Sequence, residues 1–203
     1  MTRYSLLSCV GLVGLLAVAP VHAQENDQDG SGLVLSVGGG GFSPLTELDD
    51  PGDADFKTGF RVGGGLAYQF NRYVALRGNF NFARSEGRDT RTGISPIRGV
   101  KFDRFLYDAD LQLRYPFASG VTPYVFVGGG AMTVNPPDSA PDQESFTKGA
   151  GKVGAGFSYQ IPRSNVGLYL EGAGWIYNWD RYGFDKRQFD TTWGGGISYR
   201  FGL

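Results

Sequence analysis

Four segments of the chain share one alternation of apolar and polar positions. They read VGGGLAYQF at Val62–Phe70, ADLQLRYPF at Ala109–Phe117, VGAGFSYQI at Val153–Ile161 and WGGGISYRF at Trp193–Phe201. Neighbouring residues of a strand point to opposite faces. In every segment one face holds only apolar residues, glycine and tyrosine, and the other holds small, polar or charged residues. The pattern predicts four β-strands, each with one apolar face.

The segments between these four also have the character of strands. Alternation continues in Gly32–Phe42, Tyr73–Phe82 and Val166–Trp179, whereas Tyr124–Met132 begins apolar on both faces, so its facing stays open. Together the sequence predicts eight strands.

The predicted connections alternate between short and long. The short ones are Asn71–Arg72, Ala118–Pro123 and Pro162–Asn165, and the long ones are Ser43–Thr58, Ala83–Val100, Thr133–Gly149 and Asn178–Gln188. Short periplasmic turns and long external loops are typical of bacterial outer-membrane barrels, and an even number of strands lets the sheet close. The predicted fold is therefore all-β: an eight-stranded antiparallel up-and-down transmembrane β-barrel over residues 32–203.

The strand ends carry aromatic rings at one depth. Amphipathic rings favour the membrane–water interface. The predicted periplasmic aromatic girdle consists of Tyr68, Phe70, Tyr115, Phe117, Tyr159, Tyr199 and Phe201. The girdle favours a membrane barrel over the alternative of a soluble, lipocalin-like periplasmic barrel, whose apolar face would line a ligand-binding interior.

The first 23 residues have the organisation of a secretory signal. A positive start at Met1–Arg3 precedes the apolar run Leu6–Val18, and the small-residue motif VHA follows at Val21–Ala23. This order predicts a cleaved signal peptide at residues 1–23. Residues 24–31 are then a short periplasmic segment.

Removal of the signal peptide limits the chemistry that the mature chain can perform. The one cysteine and the one histidine of the sequence, Cys9 and His22, are both lost. Catalysis by a Ser–His pair therefore has no candidate residues, and we predict neither an enzyme nor a cofactor or metal site. The formal net charge of −1 gives no reason to expect a nucleic-acid partner.

The end of the chain resembles the C-terminal signal strand of bacterial outer-membrane barrels. Gly196, Tyr199 and Phe201 match that pattern, although Gly202 and Leu203 follow the aromatic residue. Residues 32–203 as a whole resemble the small eight-stranded barrels of the OmpA-like, OmpX and opacity-protein type. The resemblance implies a location in the bacterial outer membrane, contact with lipid and lipopolysaccharide, and the barrel-assembly machinery as a partner.

Charged residues on the polar face predict a network inside the barrel. They are Arg61, Arg77, Asp110, Arg114, Lys152, Glu171 and Arg200. An eight-stranded barrel has an interior just wide enough for side chains, so we expect ion pairs that fill it, with Asp110 and Glu171 as acceptors. Gly63, Gly154 and Gly194 are expected to leave room for the arginines. The alternative is the constriction of a narrow transport pore.

Two long loops carry charge clusters. The acidic run Asp49–Asp55 lacks the spacing of an EF-hand and is interpreted as a solvated loop. The second loop is basic and is expected either to contact lipopolysaccharide phosphates or an anionic host surface, or to be simply a solvated loop. Its cations are Arg84, Arg88, Arg91, Arg98 and Lys101. The predicted function is a non-enzymatic structural or surface-interaction role, in adhesion or protection, carried by four external loops.

Overall fold

A computed structural model describes residues 31–46, 54–89, 98–137, 144–180 and 186–201 of the 203-residue chain. The predicted signal peptide, residues 24–30, residues 49–53 of the acidic loop, Arg91, Gly202 and Leu203 lie outside the described residues. Within the described ranges there are nine strands: β1 (Gly32–Pro44), β2 (Ala54–Phe56), β3 (Gly59–Gln69), β4 (Val74–Asp89), β5 (Lys101–Arg114), β6 (Val121–Asn135), β7 (Phe146–Gln160), β8 (Val166–Trp179) and β9 (Lys186–Phe201). In this part of the chain we find no helix that is both long and apolar enough to cross a membrane.

The eight long strands close into a barrel. Each pairs antiparallel with two neighbours in the order β1, β3, β4, β5, β6, β7, β8, β9, and β9 returns to β1. At the seam Leu33 lies opposite Tyr68 of β3 and Phe201 of β9. The predicted eight-stranded antiparallel up-and-down barrel is confirmed.

Glycines allow the seam between β1 and β9 to close tightly. Gly38, Gly39 and Gly40 pair with Gly196, Gly195 and Gly194. A Cβ atom at Gly40 would collide with the backbone of Trp193 and Gly194. Glycine in these strands therefore permits a close approach of two backbones.

The strands at the loop end are longer than predicted. β4 continues to Asp89, so the first seven residues of the predicted second loop belong to a strand. The added strand β2 pairs with Gly87–Asp89 and lies inside the predicted first loop. The sequence missed both because the outward residues here, such as Arg84 and Glu86, are charged: they stand beyond the lipid-facing band and have the composition of a loop.

The apolar face of the barrel points outward. On β5 the side chain of Leu113 is 55% exposed, whereas that of its neighbour Gln112 is 5% exposed. On β6, whose facing the sequence left open, Val125 and Val127 point outward and Phe126 is buried inside. A soluble ligand-binding barrel would have the reverse arrangement, so that alternative is wrong.

A charged side chain on the lipid-facing surface should destabilise the barrel more the closer it lies to the bilayer midplane. Val127 lies four residues from Pro123, which accepts a backbone hydrogen bond from the girdle residue Tyr115, and Leu113 lies two residues from Tyr115. We expect Val127→Arg to lower the free energy of unfolding by about 2–4 kcal/mol, and Leu113→Arg by about 0–1 kcal/mol, because arginine is most costly near the bilayer midplane. Urea titrations of protein in lipid vesicles measure both. Equal losses would contradict the assigned depths.

Candidate functional site

The interior of the barrel, here called the lumen, contains a buried cluster of charges at mid-height. Arg77 donates from Nε and Nη2 to Asp110 Oδ1 and Oδ2 at 3.2 Å each, and from Nη1 to Glu171 Oε2 at 2.7 Å. Tyr124 donates its hydroxyl hydrogen to the same Glu171 oxygen at 3.1 Å. One guanidinium group thus holds two carboxylates.

A lysine completes this cluster. Lys152 Nζ lies 2.7 Å from Asp108 Oδ1 and 2.8 Å from Asp110 Oδ2. Asn79 Nδ2 donates to the same two oxygens at 2.7 and 2.9 Å. We call Arg77, Asn79, Asp108, Asp110, Lys152 and Glu171 the central ion cluster. Its charged members are almost fully buried, and buried charges are tolerated when they are paired and hydrogen-bonded in this way.

The central ion cluster crosses the full width of the lumen. Arg77 lies on β4 and Glu171 on β8, and in the closed order three strands separate them on either side. Their 2.7 Å hydrogen bond therefore joins diametrically opposite walls. Side chains from both walls occupy the lumen at this height.

Aromatic rings pack against the two cations. The ring centre of Phe126 lies 5.1 Å from Arg77 Cζ and 5.0 Å from Lys152 Nζ, and Trp175 lies 5.2 Å from Lys152 Nζ. Such cation–π contacts are strengthened where the cation is desolvated.

The glycines of the inner face make room for groups other than arginines. A Cβ at Gly154 would collide with the Phe126 ring, and one at Gly63 with Asn81. At Gly194 the nearest atoms belong to the backbone of β1. The expectation that these glycines accommodate arginine side chains is wrong. The bulkiest neighbour is the ring of Phe126 on β6, the strand whose inward face the sequence did not predict.

The loop-side half of the lumen is apolar. Its buried cluster consists of Phe42, Phe56, Ala83, Phe102, Leu106, Met132, Val134, Phe146, Ala150, Trp175 and Tyr177. Arg104 is fully buried here, and its Cζ lies 4.9 Å from the ring centre of Phe42 and 4.3 Å from that of Phe56. It also donates a hydrogen bond to the Ser85 hydroxyl oxygen. Phe56 comes from β2, so the added strand contributes to closing this end.

Three predicted lumen residues stay apart from the central ion cluster. Arg61 donates to the neutral Asn81 Oδ1 at 2.9 Å. Arg114 and Arg200 line a cavity on the short-turn side of the cluster. The expected pairing of Arg114 with an acidic residue is absent within the described ranges, since Asp110 and Glu171 are taken by Arg77.

Sequence reasoning missed Asp108, Arg104 and Asp190. All three follow from continuing the alternation: positions 108 and 104 lie on the same face as Asp110, and position 190 lies on the same face as Gly194. The repeated segments began at Ala109 and Trp193, so residues 101–108 and 189–192 before them were assigned to no face. Tyr124 and Phe126 carried no usable signal, because both faces of β6 begin apolar.

The residues of the predicted girdle all lie outside the barrel near the short turns. Tyr68, Phe70, Tyr115, Phe117, Tyr159, Tyr199 and Phe201 are each between 38% and 63% exposed. Three Tyr–Phe pairs contact edge to face, with ring centres 5.1, 5.3 and 4.9 Å apart at residues 68/70, 115/117 and 199/201. The outer surface thus carries aromatic and aliphatic side chains, whereas the interior contains the buried charges of the central ion cluster.

Ion pairs surround the loop end of the barrel. Lys57 binds Glu86 at 2.7 Å, Arg84 binds Asp103 through two nitrogens, and Lys148 binds Asp180. Arg98 Nε donates to the carbonyl oxygen of Asp89. Two of the cations predicted to meet an anionic surface, Arg84 and Arg98, are therefore engaged by neighbouring residues.

The described residues contain no group of three His, Cys, Asp or Glu side chains arranged to hold a metal ion. The central ion cluster connects opposite walls of the barrel.

Comparisons with known proteins place the chain in a family. A family model described as an outer membrane protein beta-barrel domain matches residues 11–201. A search of curated proteins gave no significant match. The chain therefore belongs to the outer membrane β-barrel domain family, and the protein is located in the bacterial outer membrane.

Solved structures show the same fold at low sequence identity. Neisserial surface protein A is 16% identical, with a TM-score of 0.63 over 84% of this chain and 98% of that one. OprG from Pseudomonas aeruginosa is 14% identical, with a TM-score of 0.54 over 86% and 98%. At these identities the similarity concerns the fold alone.

Removal of Arg77 should be costly because it leaves two buried carboxylates without their cation. We expect Arg77→Met to lower the free energy of unfolding by about 3–5 kcal/mol. Arg61→Met is the matched control and should cost clearly less, since it breaks a hydrogen bond to a neutral amide. Urea unfolding in vesicles compares them. If both variants lose the same stability, the central ion cluster does not hold the barrel together.

Proposed function

We propose that this protein is a non-enzymatic outer-membrane barrel whose role is structural or is carried out at the cell surface by its four external loops. The observation that carries the proposal is the hydrogen bond between Arg77 and Glu171 across the lumen, which occupies the path that a transported solute would need. A filled lumen leaves the outer end of the barrel as the place of interaction.

The loop-side half of the lumen supports the same conclusion. Phe42, Phe102 and Leu106 are fully buried there, and Phe56 of β2 packs edge to face against Phe102 with 5.3 Å between ring centres. A second barrier therefore lies between the central ion cluster and the outside. A narrow pore would require both the central ion cluster and this apolar cluster to open.

The ion pairs at the loop end of the barrel affect which partners can bind there. Outer-membrane lipid and lipopolysaccharide surround such a barrel, and a host or other surface ligand is a further candidate for the loops. Because Arg84 and Lys57 are already paired with Asp103 and Glu86, a phosphate group would have to compete with these carboxylates. The proposed surface contact therefore rests on the loops as a whole more than on these two cations.

The absence of histidine after residue 22 supports the non-enzymatic part of the proposal. In the Ser–His mechanism of acyl and peptide hydrolysis, an imidazole acts as the general base that activates the nucleophile. The buried carboxylates Asp108, Asp110 and Glu171 are engaged by Arg77, Lys152, Asn79 or Tyr124. These contacts engage the carboxylates in the structure of the lumen.

Shortening the loops tests the proposed role. In the variant, residues 47–53, 90–97, 138–143 and 181–185 are each replaced by a short Gly-Ser linker, which leaves the described strands intact. We expect cells that carry this variant to lose adherence to epithelial monolayers and survival in serum, at an unchanged level of barrel in the outer membrane. Arg163→Gln, in a short turn at the opposite end, is the control. If neither adherence nor survival changes, the loops do not carry the function.

Conductance measurements on the same proteins separate the proposal from the pore. Wild-type protein in planar bilayers should show no steady current, because the lumen is crossed by side chains. Stable channels in wild type would favour transport and refute a filled lumen.

Assembly in the outer membrane should depend on the last strand. We propose that the barrel-assembly machinery reads Gly196, Tyr199 and Phe201, and that the girdle residues anchor the barrel at the periplasmic interface. Phe201→Ala should reduce the amount of protein in the outer membrane while the variant still refolds in detergent.

Phe70→Ala is a closely matched control for the assembly test. Phe70 is 50% exposed and Phe201 42% exposed, and each ring contacts the tyrosine two residues before it. The lost burial is therefore similar, and only the position along the chain differs. Equal levels of both variants in membranes, measured by immunoblot, would show that Phe201 carries no assembly signal.

A further inference from the structure

The cavity between the central ion cluster and the short turns, here called the periplasmic chamber, has an unusual lining. All eight barrel strands contribute, and the lining includes Arg77, Arg114 and Arg200 but no aspartate or glutamate. Its other polar side chains include those of Ser36, Gln112, Thr122, Tyr124 and Ser198. The chamber is therefore a cationic and hydrogen-bonding space inside the barrel.

One cation of the periplasmic chamber, Arg114, has no acidic partner among the described residues. Arg77 is neutralised from the other side by Asp110 and Glu171. Arg114 makes no side-chain hydrogen bond or ion pair with the described residues, and its buried Nε has no acceptor. A buried donor without an acceptor is costly, and because it belongs to a half-buried guanidinium group, an anion in the chamber would satisfy it.

The size and donors of the chamber fit a small oxyanion. Its volume is about 90 Å³, which corresponds to roughly six to nine waters at about 10–15 Å³ each. A guanidinium group presents parallel N–H donors that match the oxygens of phosphate and carboxylate, and the hydroxyl and amide groups of the lining supply further hydrogen bonds.

We propose that the periplasmic chamber binds a small soluble oxyanion, a phosphate or a carboxylate, with Arg114 as the principal ligand. The chamber lies between the short turns and the central ion cluster, so the anion enters from the periplasmic end and stops at Arg77. Arg200 shares the lining and adds a second positive charge. This binding is separate from the proposed role of the external loops.

Titration calorimetry of the refolded full-length mature protein, at constant ionic strength in a phosphate-free buffer, tests the proposal. Sodium phosphate is one probe and sodium acetate the other, which separates phosphate from carboxylate binding. We expect saturable binding of at least one of them, and Arg114→Gln should raise its Kd by at least about tenfold through loss of charge-assisted hydrogen bonds. The control, Arg72→Gln, removes an exposed arginine from a turn at the same end and should leave the Kd unchanged.

Arg114→Lys provides a second test if Arg114→Gln fails to fold. It keeps the charge but removes the planar pair of donors, so we expect weaker binding than in wild type. The proposal is wrong if neither probe binds wild type saturably, if chloride at the same ionic strength produces the same heat, or if the affinity of the Arg114 variant that folds equals that of wild type.

Discussion

The requirement that every backbone hydrogen bond be made within the protein governs this structure. In a bilayer, an open sheet edge would leave a row of N–H and C=O groups without water, at a cost of several kcal/mol each. The antiparallel ladder between β1 and β9 removes that edge from Leu33 and Phe201 to Pro44 and Asp190. The glycines along this seam follow from the same requirement, because the two backbones have to approach closely over the length of the strands.

Closure with eight strands then determines what the interior can hold. The lumen is narrow enough for Arg77 on one wall to reach Glu171 on the other, so its polar groups find partners on the opposite wall as well as on a neighbouring strand. Its content also changes with height: a cationic chamber near the turns, paired charges in the middle, and aromatic and aliphatic packing near the loops. The single outward band of apolar residues surrounds all three levels.

Alternation in the sequence was sufficient to predict the eight long strands and, except in β6, their two faces, because the side-chain period of two is local information. The alternating connection lengths and the aromatic girdle were needed to predict a membrane barrel. Alternation could not reveal which inward residues meet, since register and closure bring together positions as distant as 77 and 171. The facing of β6 stayed open for a related reason: Tyr124, Val125, Phe126 and Val127 are all apolar or aromatic, and only pairing with β5 decides which pair points inward. The first residues of β5 and β9 were assigned to no face, because the repeated segments that defined the faces begin only at Ala109 and Trp193.

The bond between Arg77 and Glu171 has a consequence for the order in which the molecule acquires its structure. In an unclosed sheet β4 and β8 would be four strands apart, about 19 Å at about 4.8 Å per strand, which is too far for these side chains to touch. Hairpins such as β4–β5 can form from residues close in sequence, whereas this contact joins positions 94 apart and exists only in the finished cylinder. The energy of this hydrogen bond therefore favours the closed barrel over every partial sheet, and the bond forms last, when the barrel closes.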